Sequence, residues 1–197
     1  MNELLLRLGV SNELQAFFKT GELPFSYGNE QEIFAEGFHY IPTGTDIWTA
    51  GGFTASEVII TYSVMEAIAY LTLNRDRNPQ LTALEFIALG NLPQRTQLDW
   101  IRYSRQKRKI TLVFGHDLAG RLADIFVATG IRNKSLSLRL DGEHVIATYG
   151  SRIYTASPET LSLNAFEKAT GMRTGIRTCK PNIHNTFLDQ MIYDANP

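Results

Sequence analysis

Short apolar runs alternate with amphipathic segments through the middle of the chain. Runs dominated by apolar and β-branched residues predict buried strands at residues 57–61, 83–89 and 109–114. Apolar positions at helical spacing predict helices over residues 65–73, 94–107 and 119–129. This alternation is typical of an α/β fold, so we expect a mainly parallel, Rossmann-like sheet with helices on both faces.

The first quarter of the chain has a different pattern. Residues 1–54 predict a helix, with Ser11 or Asn12 as its N-cap, followed by a small β element with short strands. Gly51 and Gly52 end that element. We therefore expect a small N-terminal α+β element over residues 1–54 and an α/β domain over residues 55–197.

The last third of the chain mixes strand and helix signals. Residues 135–140 predict the start of a fourth strand of the parallel sheet. Alternating polar and apolar positions around Gly150 predict a β-hairpin over residues 144–155. Residues 160–170 then predict a helix that ends at Gly171.

Composition and charge narrow the class of protein. The chain has 197 residues, 44% of them hydrophobic, and its single thiol, Cys179, excludes a disulfide framework and a cysteine-rich zinc site. Polar residues interrupt the longest apolar stretch, so we expect a cytoplasmic protein without a membrane partner. Residues 1–90 carry 4 basic and 11 acidic side chains, whereas residues 91–197 carry 15 basic and 9 acidic ones. The second half can therefore accept an anionic partner.

Candidate chemistry lies where the predicted parallel strands end, because ligands of such sheets bind outside their carboxyl ends. Asp117 follows the strand at residues 109–114 and precedes a helix. Its carboxylate can serve as an N-cap or as a ligand of Mg²⁺. His116 and Ser63 also lie at strand ends, but the G-x-S-x-G motif of a serine nucleophile in this kind of sheet is absent.

Three segments resemble the Toprim domain, the Mg²⁺-binding fold of bacterial primases and topoisomerases. They are TYSVMEAIAYL, KITLVFGHDLAGRLADIF and KPNIHNTFLDQ, and the resemblance covers roughly residues 55–190. The Toprim-like proteins of bacterial mobile elements are especially similar. In this family one strand ends in a glutamate that acts as general acid and base, and a later strand ends in a pair of aspartates.

The resemblance implies a disabled catalytic site. The family glutamate falls on Tyr62, the first aspartate on Gly115 and the second on Asp117, so one of three acids remains. The relic positions are thus Tyr62, Glu66, Gly115, His116 and Asp117, and no cofactor is expected.

An enzyme remains the alternative. Glu66 lies one helical turn beyond Tyr62, and with Asp117 it could hold Mg²⁺. Such a site would support a Mg²⁺-dependent phosphodiester or nucleotidyl-transfer reaction.

The most basic stretch of the chain is a candidate contact for nucleic acid. It contains Arg102, Arg105, Lys107, Arg108 and Lys109, with Trp100 and Tyr103 close by. Cations beside aromatic rings suit phosphates and stacked bases, although cations also collect at helix C-termini for structural reasons.

We therefore expect a non-catalytic Toprim-like protein of bacterial DNA handling, with association with a mobile element as one option. It would bind DNA or RNA, or another DNA-processing protein. A purely protein-binding scaffold is a further alternative, and the sequence leaves homo-oligomerisation open.

Overall fold

A computed structural model describes residues 1–21 and 23–196. The helices in the described chain are α1 (Glu3–Arg7), α2 (Asn12–Phe18), α3 (Val64–Leu73), α4 (Arg95–Ser104), α5 (Leu118–Ile131), α6 (Leu163–Thr170) and α7 (Phe187–Ala195). The strands are β1 (Phe25–Tyr27), β2 (Glu30–Ala35), β3 (Phe38–Tyr40), β4 (Trp48–Gly51), β5 (Glu57–Thr61), β6 (Leu84–Ala88), β7 (Lys109–Val113), β8 (Ser137–Asp141), β9 (His144–Tyr149), β10 (Arg152–Ala156) and β11 (Arg177–Thr178).

A five-stranded, mostly parallel sheet forms the centre of the molecule. Its strand order is β11-β7-β5-β6-β4, and only β4 runs antiparallel to its neighbour. Successive residues of β5 are fully buried on opposite faces: Ile59 packs in the core that contains α3, whereas Val58 and Ile60 pack in the core that contains α5. The predicted α/β class, with a mainly parallel sheet and helices on both faces, is confirmed.

The chain leaves β5 and β7 toward opposite faces of the sheet. Helix α3 follows β5 and contributes to one core, while α5 follows the neighbouring strand β7 and contributes to the other. Ser63 caps α3 and Asp117 caps α5, each through its side-chain oxygen. The carboxyl ends of β5 and β7 therefore form a topological switch point, where sheets of this type bind ligands.

The N-terminal part of the chain packs against the central sheet. Ser11 caps α2 as predicted. Leu5 and Phe18 lie in the same core as α3. Strand β4, which the sequence pattern placed in the N-terminal element, pairs with β6 and forms one edge of the central sheet.

The prediction that residues 135–140 begin a fourth strand of the parallel sheet is wrong. Strand β8 pairs antiparallel with β9, and with β10 it forms a separate three-stranded sheet. A tight turn at Gly142, with a φ of 59°, brings β8 onto the next strand along the chain, so local pairing replaces a long crossover. The hairpin predicted at 144–155 is confirmed by β9 and β10.

The helix predicted over 94–107 is shorter in the structure. It ends at Ser104, because Arg105 leaves the helical region with φ −122° and ψ 33°, and Lys107 then adopts a left-handed φ of 65°. The longest helix, α5, has 14 residues. In the described part of the chain, no helix has the length and apolar character that crossing a bilayer requires.

Candidate functional site

A small cavity of about 180 Å³ lies at the topological switch point. It is bounded by residues that follow β5, β6 and β7, together with the segment before α7. The lining residues are Tyr62, Asn91, Pro93, Phe114, Gly115, Asp117, Ala119, Gly120, Ala123 and Thr186. Three of the five relic positions, Tyr62, Gly115 and Asp117, are therefore brought together as the resemblance implies.

Asp117 binds the backbone of its own helix. Its Oδ1 accepts a hydrogen bond of 2.8 Å from the backbone N–H of Gly120, so the N-cap interpretation is confirmed. This arrangement satisfies one of the unpaired N–H groups in the first turn of α5 and places negative charge at the positive end of the helix dipole. The carboxylate already has a structural partner.

The backbone around Gly115 leaves little room for a second acid. A β-carbon on Gly115 would lie 3.1 Å from Asp117 Oδ1 and 3.3 Å from the carbonyl oxygen of Asn185. Gly120 is packed still more closely, since a β-carbon there would lie 2.2 Å from the Gly115 carbonyl oxygen. The close approach of α5 to the end of β7 thus depends on Gly120.

Glu66 is fully buried and binds the start of another helix. Its two carboxylate oxygens accept hydrogen bonds of 2.9 and 3.0 Å from the backbone N–H groups of Phe187 and Leu188, the first two residues of α7. Burial raises the pKa of Glu66 to about 7, although those two N–H groups act in the opposite direction. Glu66 is not among the residues that line the cavity, and both its oxygens are bound to α7, so the Glu66–Asp117 magnesium site stays a prediction.

Tyr62, which the resemblance aligns with the Toprim glutamate, is a group that holds its proton. Its hydroxyl lies 3.5 Å from Glu66 Oε2. Burial, followed by the nearby Glu66 charge, raises the pKa of Tyr62 well above its ordinary value of 10. A phenol that stays protonated at neutral pH is a poor general base.

An ammonium group occupies the end of β7 behind the cavity. Lys180 Nζ donates to the carbonyl oxygens of Phe114 and Gly115, at 2.9 and 2.8 Å, and lies 2.7 Å from Asp124 Oδ2. Burial raises the pKa of Asp124 to about 6, while Lys180 acts to lower it. Sequence reasoning missed this pair, although an acid within the inward-facing stripe of α5 indicated that a buried partner was needed.

Ser63, His116 and Asp117 do not form a hydrogen-bonded triad. Ser63 Oγ accepts from the Glu66 backbone N–H as the N-cap of α3, at 3.0 Å. The His116 ring lies 2.7 Å from the carbonyl oxygen of Pro181. Among the described residues, no three His, Cys, Asp or Glu side chains are grouped closely enough to hold a metal ion.

The basic stretch lies at the other edge of the sheet. Lys109 is the first residue of β7, and the carboxyl end of that strand is four residues away, roughly 13 Å at the usual rise per residue. The stretch therefore belongs to the amino edge of the sheet and is separate from the cavity. The structure brings no residue of 102–109 to the lining of the cavity.

Two of the five candidate cations are held by a buried acid. Arg105 is 5% exposed and binds both oxygens of Glu85 at 2.6 Å, and Arg108 binds the same carboxylate at 2.6 Å. The Arg105 guanidinium also lies between the rings of Phe53 and Trp100, 4.6 and 4.5 Å from their centroids. Arg105, predicted as a phosphate contact, is therefore part of the protein interior.

An open groove of about 310 Å³ runs beside this cluster at the amino edge. The C-terminal ends of α4 and α5 form its walls with the intervening loop. Its lining residues are Ile101, Arg102, Arg105, Gln106, Lys107, Arg108, Ile110, Ile131 and Arg132. Arg132 was missed from the sequence because it lies on a different helix from the basic stretch.

The cations of this groove differ in how far they are neutralised. Arg102 lies 3.1 Å from Asp99. Lys107 and Arg132 are exposed, and among residues 1–21 and 23–196 no carboxylate lies within 4.0 Å of their charged groups. Lys109 is exposed at the start of β7. Lys180 is bound at the opposite edge of the sheet.

Comparisons of the chain with protein-family models, with curated proteins and with solved structures give no match. The Toprim resemblance therefore stays a prediction from the sequence.

Proposed function

We propose that the protein is a non-catalytic α/β module that binds nucleic acid through the groove at the amino edge of its sheet. If the Toprim resemblance holds, it would act in bacterial DNA handling beside another DNA-processing protein. The observation that carries the proposal is the difference in neutralisation between the two edges. The acids at the carboxyl edge are bound internally, whereas Lys107 and Arg132 line the groove without an acidic partner among the described residues.

The carboxyl edge lacks the groups that phosphoryl chemistry needs. A Mg²⁺ site usually takes one or two carboxylates with open coordination positions for water and substrate phosphates. Asp117 binds Gly120, and Glu66 binds the start of α7. At least one oxygen of each carboxylate is thus already held by a helix N-terminus.

The amino edge has the groups that a phosphate backbone recognises. Lysine and arginine neutralise phosphates and release their counterions, which provides most of the sequence-independent affinity for nucleic acids. Arg105 and Arg108 share one acid, so the cluster retains a positive charge beside the exposed cations.

The test uses variants that spare the buried ion pairs. Lys107→Ala/Arg132→Ala removes two groove cations, while Lys168→Ala/Arg173→Ala removes two exposed cations from the region of α6. Binding of labelled oligonucleotides is measured by fluorescence anisotropy over a range of salt concentrations. We expect the groove variant to bind at least tenfold more weakly. The slope of log affinity against log salt concentration, which is negative, should become shallower by about two.

Two results would overturn this proposal. One is equal loss of affinity in the groove variant and the control variant. The other is a divalent-metal-dependent nuclease, primase or nucleotidyl-transfer activity that Asp117→Asn abolishes, because that would place chemistry at the carboxyl edge. Neither Arg105 nor Arg108 is substituted here, since Glu85 would lose its counter-charge.

A further inference from the structure

Three exposed aromatic rings contact arginines that line the basic groove, although the rings themselves are not part of its lining. Phe53 is 68% exposed, Trp100 40% and Tyr103 69%. Phe53 and Trp100 lie on either side of the Arg105 guanidinium, and Tyr103 lies one helical turn from Trp100 on α4. Aromatic rings are usually buried in cores or interfaces. Three exposed rings beside a cationic groove therefore suit a partner with flat, apolar faces.

The arginines hold these rings in place. The Arg105 guanidinium is fixed by Glu85 through two bonds of 2.6 Å, so the rings that stack on it have a rigid support. The Arg102 guanidinium lies 4.5 Å from the Tyr103 ring centroid and donates to its hydroxyl at 2.9 Å. A ring that is held in this way loses less conformational entropy when a ligand stacks on it.

Cations and exposed ring faces together favour one form of nucleic acid. In a duplex the base faces are stacked on each other, so a protein meets only phosphates and base edges. In a single strand the base faces are free to stack on aromatic side chains while the phosphates follow a positive groove. Resting on the proposed function, we infer that this surface binds single-stranded nucleic acid, with bases stacked on Phe53, Trp100 and Tyr103.

The experiment compares variants that each remove two exposed rings. Phe53→Ala/Tyr103→Ala removes two rings from the groove, and Phe38→Ala/Tyr40→Ala removes two exposed rings from β3, which lie in a different sheet. Affinities are measured for oligothymidylate, oligouridylate and a duplex of equal length. We expect the groove variant to bind both single strands at least tenfold more weakly and the duplex with unchanged affinity.

Tryptophan fluorescence reports stacking directly. The chain has two tryptophans, and Trp48 packs against a core while Trp100 is exposed. A single strand should quench the wild-type emission, and a duplex should not. Trp100→Phe should bind the single strand with nearly the same affinity and without the quenching, because phenylalanine keeps a ring for stacking.

The outcomes separate this inference from the proposal on which it rests. Equal affinity for single strands and duplex, unaltered in Phe53→Ala/Tyr103→Ala but weakened in Lys107→Ala/Arg132→Ala, would overturn the stacking and leave the groove as a phosphate site. Absence of binding to any oligonucleotide would overturn both. A preference for oligouridylate over oligothymidylate, or the reverse, identifies which single strand the surface takes.

Discussion

The two edges of the central sheet treat charge in opposite ways. At the carboxyl edge each candidate group has an internal partner: Asp117 binds α5, Glu66 binds α7, and Lys180 binds Asp124. At the amino edge two arginines share one acid and Lys107 is exposed. Arg132 is exposed too; its Nε donates to the Thr174 carbonyl oxygen, but no carboxylate of the described residues lies within 4.0 Å of its guanidinium. Position at the switch point of a sheet is therefore insufficient evidence for a site; the side chains there must also be free to bind.

Helix N-termini explain why the carboxyl edge is closed. Helices that follow parallel strands begin at that edge, and their first N–H groups need acceptors. Glu32 shows the same use of a buried carboxylate, because its oxygens accept from the backbone N–H groups of Val64 and Met65, at 2.7 and 3.0 Å. The acids that suggest metal ligands in the sequence stabilise helix starts in the structure.

The largest expected effect concerns the buried ion pair at the amino edge. Arg105→Met should lower the free energy of unfolding by about 3 kcal/mol, because it leaves Glu85 buried with Arg108 as its remaining partner. Urea denaturation measures the change. Arg102→Met, which removes a partly exposed cation, should cost about 1 kcal/mol or less.

A double variant sharpens this measurement. Glu85→Leu/Arg105→Met replaces both members of the pair with apolar groups and should recover much of the lost stability, since no uncompensated acid remains. If the double variant is no more stable than Arg105→Met, the pair is not the source of the effect, and the interior role of Arg105 is wrong.

The second prediction is a pH dependence that originates at the carboxyl edge. Burial raises the pKa of Glu66 from 4.5 to about 7, so the folded protein retains a proton that the unfolded chain releases between those pH values. The contribution of this group to stability is greatest below pH 4.5 and falls by about 3 kcal/mol as the pH rises through 7. Urea denaturation from about pH 4 to about pH 8 measures it.

Glu66→Gln is the matched control for this pH dependence. The variant has no proton to release at this position. Over the same pH range its free energy of unfolding should therefore fall by about 3 kcal/mol less than that of the wild type. Asp124, whose pKa is raised to about 6, contributes in the same direction but is present in both proteins. Parallel curves for the two proteins would contradict the assignment to Glu66.

Local patterns made the central fold predictable. The strands β5, β6 and β7 are short apolar runs. Ser11 caps α2 and Asp117 caps α5, and each cap residue directly precedes its helix in the sequence. These signals depend only on residues close in sequence, so they can be recognised without knowledge of the tertiary structure. The pairing of the two edge strands cannot be predicted from local pattern. Strand β11 has two residues and no pattern, and β4 pairs with β6, which begins 33 residues after β4 ends.

The candidate site was harder to predict because its partners are distant in sequence. Glu66 and Phe187 are separated by 121 residues, and no local pattern relates them. Glu85 gave a better signal, since an acid in an otherwise apolar strand needs a buried cation. That signal would have indicated that one cation near Glu85 is buried, which leaves Lys107 and Arg132 as exposed cations of the groove.

The smallest expected effect asks whether Asp117 is only a helix cap. Asp117→Ala should lower the free energy of unfolding by about 1 kcal/mol because it removes the acceptor for the Gly120 N–H, and Asp117→Ser should lose only a few tenths because its hydroxyl can replace that acceptor. For wild type, Asp117→Ala and Asp117→Ser alike, adding about 10 mM Mg²⁺ or Mn²⁺ should leave the midpoint of thermal unfolding unchanged. A specifically bound ion stabilises the folded state by mass action, so a midpoint that rises in wild type but not in Asp117→Ser would identify Asp117 as a metal ligand. The contrast between a closed carboxyl edge and an open amino edge would then be lost.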